Sequence, residues 1–263
     1  IINELPGRLS ATRVAEVRAR TSGIVLERKF EEGSEVEAGQ ILFQIDPAPL
    51  RAAYNSSRAA LAQAEADAFQ AEALAKRYES LIGANAVSQQ EYDNAVASQK
   101  QTQAQVEAAR ANLDTARINL DYASVKAPIS GRIGRAQITE GALVGQGEPT
   151  LLATIRQIDP IYADFSQSAA DLNELRRDFE AGRIKQVGRE AAQVRLLTDH
   201  GQAYPHTGKL LFSDISVDPD TGQVALRGLF PNPDGMLLPG SYVRVRLEQA
   251  VSERAITVPQ QAI

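Results

Sequence analysis

The sequence predicts an elongated, multidomain α+β chain. A long antiparallel α-helical coiled-coil hairpin is inserted into a small β-sandwich, and a small antiparallel β-barrel with one short helix follows. Three observations predict it: a glycine-marked repeat split by a long insertion, a 3.5-residue apolar period within that insertion, and a series of short alternating segments after it.

The repeat comes first. Gly23-Ile24-Val25 is followed by Gly33, Val36 and Gly39, and Gly131-Arg132-Ile133 by Gly141, Val144 and Gly147, each matched position lying 108 residues apart. Each unit ends in a β-like apolar run, Ile41–Ile45 in one and Leu151–Ile155 in the other. Glycines punctuate short strands at tight turns. One such unit cannot bury its apolar face alone, whereas two facing units can, as a sandwich. Residues 17–46 and 122–156 are therefore expected to form one domain, although residues 47–121 separate them.

The insertion reads as two helices. Neither 50–82 nor 84–122 contains Gly or Pro, and both are rich in Ala, Gln, Glu and Leu. Pro47 and Pro49 suit a helix start, Gly83 a stop, and Ser88-Gln89-Gln90-Glu91 is a capping box. The first arm carries a seam at Leu50, Tyr54, Ser57, Leu61, Ala64, Ala68, Ala71, Ala75, Tyr78 and Ile82. The second carries one at Tyr92, Ala95, Gln99, Thr102, Val106, Ala109, Leu113, Ala116 and Leu120. Spacings of four and three alternate, as a coiled coil requires. At 1.5 Å per residue each arm reaches roughly 50 Å. The seams pair Leu61 with Leu113 and Ile82 with Tyr92. The competing reading is a pair of bundle helices packed on the domain, but a single narrow seam offers a third element no apolar face.

After Ile155 the pattern turns to strands. Ile158 to Phe165 enters one, Val194 to Leu197 forms a second, Lys209 to Val217 and Val224 to Phe230 two more, and Tyr242 to Glu248 alternates. Ser168 is expected to cap a short helix bearing Leu172, Leu175, Arg176 and Phe179, stopped by Gly182. Residues 4–16 and 157–250 are the expected barrel.

Composition narrows the function classes. The 263 residues carry a net charge of −5 and no cysteine, which argues against a nucleic-acid partner and removes disulfides, thiolate metal sites and cysteine nucleophiles. No apolar run approaches the roughly 20 residues that span a bilayer. The two histidines, His200 and His206, flank a turn, where solvated loop residues are the ordinary reading and a metal pair or a Ser-His-Asp arrangement the minor ones. Gly131 to Gly134 contains Gly-x-x-Gly but lies in a β repeat with no helix to cradle phosphate. No catalytic, cofactor or metal residue is assigned. The apolar ends, Ile1-Ile2 and Ile263, suggest a piece of a longer chain.

The doubled Gly…Gly-x-x-Val-x-x-Gly pattern resembles the two halves of a biotinyl/lipoyl carrier domain, so Gly23, Gly33, Gly39, Gly131, Gly141 and Gly147 read as lipoyl-like repeat turns. The turn where a carrier places its modifiable lysine reads Ile45-Asp46-Pro47-Ala48-Pro49, without lysine. More widely, the chain resembles the periplasmic adaptors (membrane fusion proteins) of resistance-nodulation-division multidrug efflux pumps. Glu4-Leu5-Pro6-Gly7-Arg8, Thr139–Val144, Asp159-Pro160-Ile161-Tyr162, Phe230-Pro231-Asn232-Pro233 and Leu238-Pro239-Gly240 carry the likeness, and it runs nearly end to end.

The resemblance implies a connector without catalysis or cofactor. Its expected partners are an inner-membrane resistance-nodulation-division transporter, an outer-membrane channel of the TolC type, and further copies of itself, as a trimer or hexamer. It would act in the Gram-negative periplasm, attached to the inner membrane through partners or a lipid anchor. Arg77, Leu81 and Ser88 match the family's channel-docking spacing at the hairpin tip; the plain reading makes Ser88 a cap, Leu81 a turn cover and Arg77 a solvated residue. Arg132 and Arg135 are candidates for a subunit contact, with a solvated strand face as the equal alternative. Residues 1–3 and 251–263 are expected to begin a truncated membrane-proximal domain. Adaptors of ABC-type or metal exporters, and a lipoyl/biotinyl-like carrier protein, are the rival readings.

Overall fold

The computed structural model describes residues 2–83, 86–170, 177, 185–186, 193–198, 201–218, 221–248 and 250–251. Strand β1 (Ile2–Arg18) leads into β2 (Gly23–Arg28), β3 (Glu35–Val36) and β4 (Ile41–Ile45). Helices α1 (Ala48–Ile82) and α2 (Gln89–Asp121) follow, then β5 (Ser124–Lys126), β6 (Gly131–Ile133), β7 (Leu143–Val144) and β8 (Leu151–Ser168). The remaining strands are β9 (Lys185–Gln186), β10 (Gln193–Leu197), β11 (Gly208–Val217), β12 (Gln223–Phe230), β13 (Tyr242–Glu248) and β14 (Ala250–Val251).

The two glycine-marked units close crosswise. Strand β2 of the first pairs with β7 of the second (Ile24 opposite Leu143), and β6 of the second pairs with β3 of the first (Arg132 opposite Glu35). Hydrogen bonds repeat with the same offset: Gly33 N–H donates to Ile133 O at 3.0 Å, and Gly141 N–H to Val25 O at 2.8 Å. Gly33 and Gly141 hold φ of 79° and 84°, and Gly39 and Gly147 hold 87° and 77°. These are left-handed conformations, in which a side chain is strained. The sandwich has two sheets, β7-β2-β4-β5 and β3-β6-β8-β1. Val25, Phe43 and Ile45 face Val36, Ile133 and Ile155 between them, all nearly or wholly buried. Each such side chain contributes about 2 kcal/mol on leaving water.

Every residue of the two seams is buried or half-buried. Within the helices only Glu72, Leu81 and Val96 fall outside the seams without being fully exposed. The arms thus meet along one stripe and leave the rest to water, as the 3.5 period requires. Ala71, Ala75, Ala95 and Val106 are the most buried, and the small alanines let the backbones approach closely. Near the base, a cavity of about 420 Å³ is lined by Ala53, Ser57 and Ala60 from one arm and Asn112, Ala116 and Asn119 from the other. At the root, Ile45 N–H donates to Ala123 O at 2.8 Å, so the chain leaves and re-enters the sandwich at one point. Gly83 caps α1 with a φ of −62°, so it does not use the left-handed freedom that usually places glycine there.

The barrel closes through β1-β13-β10-β11-β12-β8, with β8 returning to β1. Its core gathers Leu9, Phe165, Leu196, Phe230 and Val245. Strands β1 and β8 are continuous through both bodies: Gly7 to Ala11 pair with Ile161 to Phe165 in the barrel, and Arg13 to Val17 with Ala153 to Gln157 in the sandwich. The expected breaks at 16/17 and 156/157 thus fall inside unbroken strands, with a register shift between Ala11 and Arg13. Ser168 ends β8, and its hydroxyl accepts Ala170 N–H at 3.2 Å. The expected helix through Leu172, Leu175, Arg176, Phe179 and Gly182 lies outside the described residues, as do His200 and 252–263.

Candidate docking site at the hairpin tip

The last turns of α1 place Arg77 and Leu81 four residues apart, on one face of the helix. Arg77 is exposed, and among the described residues no carboxylate lies within ion-pair distance of its side chain. Its neighbour Lys76 is held by Glu72 at 2.5 Å, which keeps one cation occupied and leaves the other free. Leu81 is half-buried, and its carbonyl accepts Ala86 N–H at 3.1 Å, which folds the turn back.

Ser88 is exposed and starts α2 through a complete capping box. Its Oγ accepts Glu91 N–H at 3.3 Å, its own N–H donates to Glu91 Oε2 at 2.9 Å, and its hydroxyl donates to the same oxygen at 2.8 Å. These bonds hold the Glu91 carboxyl below the usual carboxylate range, with the Ser88 backbone N–H the largest cause. The tip is therefore preorganised: the cap fixes the turn, while Arg77 and Leu81 present a charge and an apolar surface. Leu74, seven residues before Leu81, lies on the same side and is exposed. A leucine outside the seam was its only signal in the sequence.

Arg132 and Arg135 lie on and just after β6, about one arm's length from the tip. Arg132 donates through Nε to Gly33 O at 2.8 Å and stands opposite Arg156 of β8. Arg135 is exposed. Among the described residues, no group of three or more His, Cys, Asp or Glu side chains is placed to hold a metal. His206 rests edge-on against Tyr204. In the lysine-free turn, Asp46 Oδ1 accepts Ala48 N–H at 3.0 Å and starts α1 instead. A broad open hollow of about 970 Å³ at the sandwich edge is lined by Glu16, Arg18, Arg20, Tyr122, Lys126 and Glu148. Its charges are partly spent on one another, since Arg18 binds Glu16 at 2.8 Å and Arg20 lies over the Tyr122 ring.

Residues 13–156 match the barrel-sandwich hybrid domain of RND membrane fusion proteins, and residues 160–251 match the β-barrel domain of the same proteins. The chain belongs to the RND membrane fusion protein family. It is 51% identical over 263 residues to the multidrug efflux pump subunit AcrA of Escherichia coli K12, covering 100% of this chain and 66% of that one. It is 50% identical to the antibiotic efflux pump periplasmic linker protein ArpA of Pseudomonas putida, covering 100% and 67%. The chain thus spans about two thirds of the length of these membrane fusion proteins. Its fold is similar to a MacA–MexA chimera carrying the Pseudomonas aeruginosa MexA α-hairpin, with a TM-score of 0.65, 23% identity, and 95% and 81% of the two chains covered. The resemblance carried by Glu4–Arg8 and Phe230–Pro233 is borne out, and the carrier alternative gives way to it.

Proposed function

We propose that the chain is the periplasmic adaptor of a tripartite efflux pump, bridging a proton-driven exporter of the inner membrane and a channel of the outer membrane. The observation that carries this is the lone two-helix arm. Outside its seam it exposes every side chain but those of Glu72, Leu81 and Val96, and it ends in a capped turn beside Arg77 and Leu81. Arms of 35 and 33 residues give reach of roughly 50 Å without enclosing a site. The named roles of relatives half-identical over the full chain support the same assignment.

In this reading Arg77, Leu81 and the Ser88-capped turn meet the channel, and the barrel meets the exporter. Several copies surround a duct, placing the protein in the periplasm beside the inner membrane. Gly23, Gly33, Gly39, Gly131, Gly141 and Gly147 hold the body that roots the arm, and no catalytic step is assigned. The test uses the full-length protein in cells. Arg77→Asp and Leu81→Ala should each abolish drug resistance and recovery of the channel by pull-down, while protein level and circular dichroism stay unchanged. Full resistance and full recovery in both variants would overturn tip docking.

A further inference from the structure

The chain enters the arm just after Ile45 and leaves it just before Ala123, and both crossings pass beside Gln44. In β4, Phe43 and Ile45 are buried in the sandwich core, while Gln44 between them is half-buried and turns the other way. Its Nε2 donates to Ile45 O at 3.0 Å and to Ala123 O at 3.2 Å, one carbonyl on each crossing. The Ser124 hydroxyl donates to Gln44 Oε1 at 3.2 Å, which fixes the end of the amide that faces the carbonyls. Ala123 O also accepts Ile45 N–H at 2.8 Å, so its capacity for two bonds is filled. One side chain thus ties the two roots of the arm to each other.

The internal repeat shows that the sandwich closes without this amide. Strands β4 and β5 pair Phe43 with Val125 and Gln44 with Ser124. Strands β8 and β1 pair Ala153 with Val17 and Thr154 with Glu16. A register shift adjoins each set, between Ile41 and Phe43 in one and between Val17 and Arg18 in the other. Thr154 is therefore the counterpart of Gln44, and Glu16 that of Ser124. No arm departs at Thr154, because β8 runs on unbroken to Ser168. Glu16 there turns its carboxylate to Arg18 at 2.9 Å. The bridging amide stands where the arm leaves the body, and a threonine stands where none does.

Apolar packing does little to aim the arm at this point. A hollow of about 320 Å³ lies under the root, with Gln44, Ser124 and Lys126 on the sheet side and Pro47, Arg51 and Leu120 on the arm side. The Arg20 guanidinium over the Tyr122 ring braces the second crossing alone. Leverage makes the root decisive: about 10° of slack there moves a tip roughly 50 Å away by roughly 9 Å. We propose that Gln44 is the positioning residue of the arm, its amide clamping Ile45 O to Ala123 O and so setting the direction in which the arm leaves the sandwich. The consequence for docking rests on the reading of the tip as the channel contact, whereas the clamp is tested on the protein alone.

The experiment places spin labels at Ala73→Cys on the arm and Gln137→Cys on the sandwich, both exposed, in the full-length protein with any cysteine outside this segment replaced. Pulsed dipolar spectroscopy then reads the direction of the arm. Gln44→Thr installs the residue of the armless repeat, and Gln44→Glu keeps the length and the Ser124 bond but has no N–H to donate at neutral pH. Both should broaden the distance distribution by roughly 5 Å or more, with the β-sheet melt still cooperative. A distribution in either variant as narrow as without the substitution would overturn the clamp. Loss of the sheet melt in both would also overturn it, because Gln44 would then hold the body together instead of aiming the arm. Channel recovery by pull-down should fall in both variants, and broadened distances with undiminished recovery would overturn the positioning role. Broadened distances here, together with full recovery in Arg77→Asp and Leu81→Ala, would sink tip docking and support the clamp, so the two readings fail separately.

Discussion

Asn232 is almost wholly buried, and every polar atom of its side chain is used. Its amide donates to Ile158 O at 3.0 Å and to Leu237 O at 2.9 Å and accepts Leu237 N–H at 3.0 Å, while its backbone N–H binds Asp159 Oδ1 at 2.8 Å. One side chain thus ties the 231–240 loop to β8 where that strand enters the barrel. Asn232→Ala strands buried partners and should cost about 3 kcal/mol in denaturant unfolding. The Ser88–Glu91 box is the other residue-scale device. Ser88→Ala should cost the arm about 1 kcal/mol. Because the Glu91 carboxyl titrates below its ordinary range when folded, its contribution is complete at neutral pH. It is lost as pH falls through that lowered value, so helix content at the tip should decline on acidification only below the ordinary carboxylate range. A decline already complete near pH 6 would contradict this. The cap was legible because it is local, four residues long and stereotyped. The Asn232 latch was not, since its partner at Ile158 lies 74 residues away.

At the scale of elements, the hairpin was the most legible part, because a 3.5-residue period reports directly which side chains face a partner. Every seam residue from Leu50 to Ile82 and from Tyr92 to Leu120 is withdrawn from solvent. The cavity near the base is lined by Ala60 from one arm and Asn112 from the other, the residues just before Leu61 and Leu113, whose pairing is the expected register. Cysteines at those two positions should form an intramolecular disulfide in high yield under mild oxidation, and a low yield would move the register. Ala75 is nearly buried where the arms approach closely, so Ala75→Leu should overpack the seam and cost about 1–3 kcal/mol in thermal unfolding. The union of the two repeat units in one body was also foreshadowed, since neither unit can cover its own apolar face, whereas the crossed pairing of β2 with β7 and β6 with β3 was not. The single run of β1 and β8 through both bodies was not. Alternation shows that a strand has a buried side but not which of two cores that side meets, and here each strand changes core midway.

At the scale of the whole molecule, two unbroken strands join sandwich and barrel, while the arm hangs from the sandwich through the adjacent ends at Ile45 and Ala123. The arm is thus an excursion from a body that closes without it. That division is the central claim, because in the proposed function the arm reaches the channel and the body holds the exporter. The direct measurement replaces residues 48–121 of the full-length protein with a short Gly-Ser linker and follows both membrane partners by co-purification. The account predicts a cooperative β-sheet melt, unchanged recovery of the exporter, and channel recovery reduced to background. Undiminished channel recovery, or collapse of the β-sheet melt once the arm is gone, would contradict it.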